Sequence, residues 1–127
     1  MIIQRRESSP RYQRDNIESF LLISISKADS NNLSVTLVEM EPGGFQHLHH
    51  HEAEQMYFIL KGLGMMKVND EEKQVNEGDC IFIPSNSIHG LKNEENQELS
   101  YISAASPSFS KDQCEELWPL PSSSDLE

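Results

Sequence analysis

A series of short apolar segments fills the middle of this 127-residue chain and restricts the fold more than any other feature. Each segment is rich in β-branched and apolar residues, and Gly, Asn, Asp or Pro separates it from the next. The segments are Phe20–Ser26, Leu33–Met40, Gln55–Leu60, Met65–Val68, Lys73–Val75, Cys80–Ile83, Ile88–Leu91 and Leu99–Ala104. No long helical period lies between them, so the pattern predicts an antiparallel sandwich or barrel and disfavours alternating strands and helices.

The links between these segments carry local signals. Asn69-Asp70-Glu71-Glu72 is a polar link that predicts a four-residue hairpin turn. Pro84 ends the preceding strand because proline cannot donate to a central ladder. Ser110-Lys111-Asp112-Gln113 has the form of a capping box, and Cys114–Trp118 is predicted to continue it as one or two helical turns.

The chain has the length of one domain, and we expect a single domain over residues 1–127. The barrel is predicted at about 20–105, with an N-terminal arm at 1–19 and a C-terminal helix and tail at 106–127. No apolar run is long enough to cross a membrane.

Charge is spread unevenly along the chain. The formal net charge is −11, yet the first 14 residues hold four arginines and one glutamate. An acidic surface repels phosphate backbones, so we expect no nucleic-acid partner. The basic arm is interpreted as a solvated segment or an interface contact.

The two cysteines, Cys80 and Cys114, form no CxxC motif, and no secretory signal precedes them. Reduced thiols and a cytoplasmic location are therefore expected. Because Cys80 lies in an apolar strand, it is predicted to be a buried, inert thiol.

Histidine is concentrated in one place. Four of the five histidines lie within His47–His51, and the fifth is His89. Imidazole is the commonest protein ligand for transition metals, so this clustering predicts a metal site.

Strand geometry divides the candidate ligands between two faces. Residues i and i+2 of a strand project to the same face, so His49 and His51 can point into a barrel together while His50 points away. Gln55 and Glu54 lie on opposite faces of the next strand. Alternation cannot be continued across Glu52–Glu54, so it does not show which of the two shares the face of His49 and His51. Gln55 and Glu54 therefore both remain candidates for a fourth ligand. His47 and His50 are not expected to bind metal.

Two spaced motifs in this chain resemble those of the cupins. In that family the first motif is Gly, five residues, His-x-His, three or four residues, Glu, six residues, Gly; the second is Gly, five residues, Pro-x-Gly, two residues, His, three residues, Asn. The matching positions of the first motif are Gly43, His49, His51, Gln55 and Gly62. Those of the second are Gly78, Pro84, Asn86, His89 and Asn93. The chain departs from the family at Gln55, where the family has Glu, and at Asn86, where it has Gly.

The resemblance implies an all-β, double-stranded β-helix (jelly-roll) barrel. It also implies one divalent transition metal ion (Mn, Fe, Co, Ni, Cu or Zn) held by His49, His51, Gln55 and His89. The motif spacing favours Gln55 over Glu54. Three imidazoles and an amide are all neutral, so the full charge of the ion would remain available to polarise a bound carboxylate or hydroxy-carbonyl group.

The resemblance also implies the range of functions. Such sites support isomerases, lyases and dioxygenases that act on small polar organic molecules, among them sugars or sugar acids. The catalytic acid or base is unknown from the sequence; Tyr57 and Glu54 are reachable only if they face inward. The alternative is a non-catalytic binding or sensing module, although a transcription factor is not expected without a helix-turn-helix segment. A homodimer is expected through the apolar outer faces of the strands.

Several large apolar residues could line the ligand pocket or belong to the ordinary core. They are Phe45, Tyr57, Met65 and Phe82.

Overall fold

The structure is a computed structural model that describes residues 1–25, 28–110 and 113. Within these residues it contains nine strands and one short 3-10 helix, Arg6–Ser8. The strands are β1 Arg11–Arg14, β2 Ile17–Ile23, β3 Ser34–Met40, β4 Glu54–Lys61, β5 Leu63–Val68, β6 Glu71–Asn76, β7 Cys80–Ile83, β8 His89–Lys92 and β9 Leu99–Ser106. Each predicted apolar segment overlaps one of these strands, so the all-β prediction is confirmed.

The strands form two antiparallel sheets. One sheet has the order β1-β2-β3-β9-β4-β7, and the other has the order β6-β5-β8. The irregular segment before β4 extends the smaller sheet, because Phe45 pairs with Lys92 and His49 pairs with His89. This extension places the histidine-rich segment beside β8.

The two sheets enclose the main apolar core, and strand alternation selects which side chains enter it. On β4, Tyr57 and Ile59 are buried whereas Phe58 and Leu60 are exposed. Burying an apolar side chain of this size contributes about 1.5–3 kcal/mol. The buried members of the core are Val38, Met40, Tyr57, Ile59, Met66, Val75, Ile83, Leu91, Leu99 and Tyr101.

The turn between β5 and β6 is tighter than predicted. Only Asn69 and Asp70 form it, and Glu71 already belongs to β6. Asn69 makes this possible because it adopts a positive φ of 53°, a conformation that asparagine tolerates better than most residues. Its side-chain Oδ1 also accepts a hydrogen bond from the backbone N–H of Ile88 at 3.0 Å.

The larger sheet begins earlier than the predicted barrel, because β1 and the start of β2 lie within the predicted arm. The arm packs on its own sheet. Arg6 donates two hydrogen bonds to the Glu39 carboxylate, at 3.0 and 2.6 Å, and its guanidinium lies 4.4 Å from the centre of the Phe20 ring. The arm thus covers part of the outer face.

Two side chains of the edge strand β7 point outward, contrary to the sequence interpretation. Cys80 is exposed, so the prediction of a buried thiol is wrong. Phe82 is 60% exposed and belongs to neither the core nor the pocket. Alternation along β7 explains both positions, because Ile83 faces the core and residues 80 and 82 share the other face. Phe45 is also exposed, whereas Tyr57 belongs to the core.

The C-terminal capping box is confirmed. Ser110 N–H donates to Gln113 Oε1 at 2.9 Å, and Gln113 N–H donates to Ser110 Oγ at 3.1 Å. The predicted helical residues Cys114–Trp118 lie outside the described part of the chain. Among the residues that are described, none forms a helix with the length and apolar character needed to span a membrane.

Candidate metal centre

Backbone pairing brings the distant His89 to the histidine-rich segment. His49 N–H donates to His89 O at 3.1 Å, and His89 N–H donates to His49 O at 2.9 Å. Residues that face each other across such a pair carry their side chains on the same side of the sheet. The backbone of His51 is held differently, because its carbonyl accepts a hydrogen bond from Asn86 N–H at 2.7 Å.

The three imidazoles converge. A possible metal-binding nitrogen of His49, His51 and His89 lies within 4.8 Å of those of the other two. Ring centroids are 4.2 Å apart for His49 and His89, and 5.0 Å apart for His51 and His89. Three histidines therefore occupy one site that could hold a metal ion.

Hydrogen bonds to backbone carbonyls define the tautomer of each ring. His49 Nδ1 lies 2.8 Å from His47 O, His51 Nδ1 lies 2.9 Å from Ala53 O, and His89 Nδ1 lies 2.8 Å from Ser87 O. A carbonyl can only accept, so each Nδ1 carries the hydrogen. Each neutral ring then has its lone pair on Nε2, an arrangement in which Nε2 can bind a metal ion while Nδ1–H is held by the carbonyl.

The electrostatics of the cluster favour neutral rings. Burial lowers the pKa of His89 to about 4, and the neighbouring imidazoles act in the same direction. Burial also lowers the pKa of His49. His89 Nε2 is buried and, within the described residues, makes no hydrogen bond. A buried acceptor without a partner is costly, and a cation would satisfy it. The residues present thus fit a divalent metal ion.

The two candidates for a fourth ligand lie on opposite faces of β4. Glu54 is exposed on the outer face. Gln55 is 7% exposed on the inner face, and its Oε1 lies 2.9 Å from His51 Nε2. Its Nε2 donates to Ser103 Oγ at 2.6 Å. Gln55 is therefore the one that the structure brings to the histidines.

The other two histidines lie outside the cluster. The exposed His47 has its Nε2 2.8 Å from Asp15 Oδ2. His50 is exposed and lines the entrance to the site. That entrance is an open cavity of about 600 Å³. Its lining residues are His49, His50, His51, Glu52, Asn86, Ser110 and Gln113.

Sequence reasoning missed two residues beside the cluster. Ser103 holds the Gln55 amide, and alternation along β9 could have placed it on the inner face with Tyr101. Phe109 packs on the His51 ring with a centroid separation of 5.1 Å. It follows the last strand and carries no periodic signal, so only the three-dimensional structure identifies it.

The remaining motif residues shape the backbone around the site. Asn86, which stands where the family pattern has glycine, has a φ of 62°. This left-handed conformation explains the exchange, because asparagine and glycine both tolerate it. Asn93 is 1% exposed, and its side chain donates to Met40 O and Gln97 O, at 3.2 and 2.7 Å. Its role is to anchor the end of β8.

Comparison with known proteins identifies the family. The cupin domain model matches residues 36–105, which are more than half of the chain and include all four proposed ligand positions. The chain belongs to the cupin family. A cupin of known structure from Shewanella frigidimarina, described as RmlC-like, superposes with a TM-score of 0.75 at 18% identity, covering 88% of this chain and 95% of that one. The double-stranded β-helix fold predicted from the sequence is thereby confirmed.

Three relatives illustrate the range of proteins that this chain is similar to. An oxalate-binding protein of Thermotoga maritima is 28% identical over 80% of this chain and 84% of its own length. An acireductone dioxygenase of Exiguobacterium sibiricum is 30% identical over 68% of this chain. An uncharacterized HTH-type transcriptional regulator of Bacillus subtilis is 34% identical over 53% of this chain. The chain spans only 48% of the dioxygenase and 23% of the regulator.

Proposed function

We propose that this protein is a metal-dependent cupin enzyme that acts on a small polar organic molecule. In this proposal His49, His51, His89 and Gln55 hold one divalent transition metal ion. The observation that carries the proposal is the arrangement of the histidines: each Nδ1–H is fixed by a carbonyl, which leaves Nε2 of each ring able to bind an ion, and a possible metal-binding nitrogen of each ring lies within 4.8 Å of those of the other two. Nitrogen and oxygen ligands are compatible with Mn, Fe, Co, Ni, Cu or Zn.

The assignment of Gln55 rests on its hydrogen-bond pattern. The amide Nε2 donates to Ser103, so Oε1 is directed toward His51 Nε2 at 2.9 Å. Since His51 Nδ1 holds the ring hydrogen, both of these facing atoms are acceptors. Two acceptors this close are stabilised by a shared cation, and one metal ion would supply it.

The neutral ligand set bears on the substrate. A bound divalent ion would supply Lewis acidity, undiminished by a protein carboxylate. Glu52 is the one acidic residue among the described residues that line the entrance cavity. We therefore infer a substrate that offers oxygen atoms and carries negative charge, such as a hydroxy acid, a keto acid or a sugar acid.

Tyr57 is an inward-facing protic residue beside the histidines. Its hydroxyl donates to Gln46 Oε1 at 2.9 Å, and its ring centroid lies 6.2 Å from that of His89. Burial raises the pKa of Tyr57 well above its usual range, so the phenol is a neutral hydrogen-bond donor and not a base. In the proposed site Tyr57 orients Gln46 and so shapes the wall of the site. The reaction type proposed is that of an isomerase, lyase or dioxygenase.

A non-catalytic binding module is the second candidate. It is favoured by the position of Glu54, which faces outward and cannot serve as a base at the histidines. A further point in its favour is the relative described as an oxalate-binding protein, which is similar over most of both chains. In this version the same four residues bind metal and a small dicarboxylate without turnover.

We also propose a homodimer that forms through the outer face of the larger sheet. Phe58 and Phe82 are 39% and 60% exposed there, and their strand neighbours Ile102 and Met56 are apolar. Exposed apolar patches of this kind commonly mark protein interfaces. A cytoplasmic location stays a prediction.

The test uses protein purified without an affinity tag. Bound metal is measured by elemental analysis, before and after reconstitution with each of the six candidate ions. The holo protein is then mixed with oxalate, sugar acids, keto acids and diphenols under oxygen, and both heat of binding and product formation are followed. Stoichiometric metal with turnover supports the enzyme, and stoichiometric metal with binding alone supports the binding module. Failure to bind any ion after reconstitution would refute both.

A further inference from the structure

The residues that follow β9 fold back onto the site. Phe109 is only 2% exposed and packs in a cluster with Ala53 and Ala105. Its ring lies against the imidazole of His51, with centroids 5.1 Å apart and an interplanar angle of 67°. Ala105 is an inward-facing residue of β9 that pairs with Gln55, so Phe109 sits at the same level of the barrel as the proposed ligands.

Contacts with β3 hold Phe109 in this position. Its backbone N–H donates to Ser34 Oγ at 3.0 Å, and Ser34 Oγ also lies 2.9 Å from Ser108 Oγ. Ser108 N–H donates to Asn31 O at 3.1 Å. The segment is therefore anchored through polar contacts of its own, and the aromatic ring is presented to His51 from a fixed backbone.

His51 differs from the other two histidines in how it is fixed. His49 and His89 hold each other through two backbone hydrogen bonds. His51 lies outside the strands, between the bridge at His49 and the start of β4. The torsion that turns an imidazole about its Cβ–Cγ bond is soft, so packing must select the ring orientation. In His51 the Nδ1 hydrogen bond to Ala53 O does this, and Phe109 covers Ala53, which is 3% exposed.

We propose that Phe109 is a positioning residue of the metal centre, whose ring fixes the His51 imidazole with Nε2 directed toward His49 and His89. This inference rests on the proposed function, because it assigns Phe109 a role in metal affinity. Groups that orient a metal-binding histidine without touching the ion typically change metal affinity about 10- to 100-fold when they are removed.

The experiment compares Phe109→Ala with Phe20→Ala in the full-length protein. Both changes remove a buried phenylalanine side chain, but Phe20 lies beneath Arg6 on the outer face of the larger sheet. Zinc affinity is measured by competition with a chromophoric chelator, well below the melting transition of each variant. The absorption spectrum of the cobalt-loaded protein reports ligand geometry. We expect Phe109→Ala to bind zinc at least about tenfold more weakly and to shift the cobalt spectrum, and Phe20→Ala to match the wild type in both.

The outcomes separate the two proposals. Unchanged zinc affinity in Phe109→Ala, or an equal loss in Phe20→Ala, would overturn the positioning role while leaving the metal centre in place. No zinc binding by the wild type would overturn the metal centre itself, and the role of Phe109 with it. If Phe109→Ala does not fold, Phe109→Leu replaces it. We then expect weaker zinc binding and a shifted cobalt spectrum, and wild-type values for Phe109→Leu would refute the inference.

Discussion

Gln55 determines the charge of the proposed metal centre. Its amide is held at one end by Ser103 and faces His51 at the other, so its orientation is fixed. A carboxylate at the same position would accept a hydrogen bond from Ser103 and would partly neutralise a bound ion. The side chain at this position therefore determines how much of the positive charge of the ion remains uncompensated to attract the substrate.

Replacing this amide by a carboxylate should strengthen metal binding and weaken anion binding. For Gln55→Glu we expect zinc affinity to rise at least about tenfold, because opposite charges in contact attract strongly even at an effective dielectric of about 20. Oxalate binding to the holo protein should weaken, since the net charge of the centre falls. Calorimetry measures both. Gln74→Glu adds the same charge on the exposed face of β6 and serves as the control. Equal zinc affinity in Gln55→Glu and the wild type would argue against Gln55 as a ligand.

Substitution of His51 should affect metal binding, and substitution of the neighbouring His50 should not. His51→Ala removes one of the three converging nitrogens and should abolish stoichiometric metal binding. His50→Ala removes an exposed ring that lines the entrance but lies outside the cluster of converging nitrogens, and it should leave metal binding within about twofold of the wild type. Elemental analysis of tag-free protein distinguishes the two. Similar losses in both variants would contradict the assignment of His51, and not of His50, to the metal centre.

Much of the cluster could be predicted because strand alternation and motif spacing are local properties. Motif spacing placed His49 and His51 together and favoured Gln55. Alternation separates Gln55 from Glu54 on β4, whereas residues 50 and 51 lie outside the strands. The orientation of the rings could not be predicted, because it depends on carbonyl groups whose positions are set by the folded backbone. Phe109 was missed for the same reason.

At the scale of elements, the β5–β6 hairpin supports the site from outside. Asn69 at the turn bonds to both backbone groups of Ile88, its N–H donating to Ile88 O at 2.7 Å and its Oδ1 accepting from Ile88 N–H. Ile88 directly precedes His89. The hairpin thus fixes the entry into the strand that carries the most deeply buried ligand candidate.

Substitution of the turn asparagine should destabilise the fold. Asn69→Ala loses the side-chain acceptor and places a Cβ in the left-handed conformation without compensation, at a cost of about 1–3 kcal/mol. Asp70→Ala, at the next turn position, should be nearly neutral. Asn69→Gly should fall between them, because it restores backbone freedom but not the hydrogen bond. Urea unfolding measures all three. Equal stability of the two alanine variants would show that the contact to Ile88 contributes little.

Element boundaries were harder to predict than element types. The polar run from Asn69 to Glu72 predicts one turn, yet Glu71 and Glu72 are exposed residues of β6. Charged residues are tolerated in a strand with a solvent-exposed face, so polarity alone did not mark the end of the strand. In β7 the apolar sequence is misleading in the other direction. It predicts Cys80 and Phe82 in the interior, although both side chains face outward.

At the scale of the whole molecule, the two faces of the larger sheet have different roles. The inner face carries the core and the proposed ligand Gln55. The outer face is covered by the basic arm near Phe20, and farther along the sheet it presents Met56, Phe58 and Phe82. Met56 pairs with Phe82, so these apolar side chains form one continuous patch. The arm leaves this patch accessible for a second copy of the chain.

A charge in the centre of this patch should prevent dimer formation without disturbing the metal centre. We expect the wild type to sediment as a dimer and Phe82→Glu as a monomer, because a buried unpaired carboxylate costs several kcal/mol, about the size of the desolvation penalty for one ion. Leu33→Glu changes a residue that is 40% exposed just before β3 and should remain dimeric. Metal content should be the same in all three proteins, since Phe82 faces away from the histidines. Sedimentation velocity over a range of concentrations measures the oligomeric state of each protein. A monomeric wild type or a dimeric Phe82→Glu would show that this patch is not the interface.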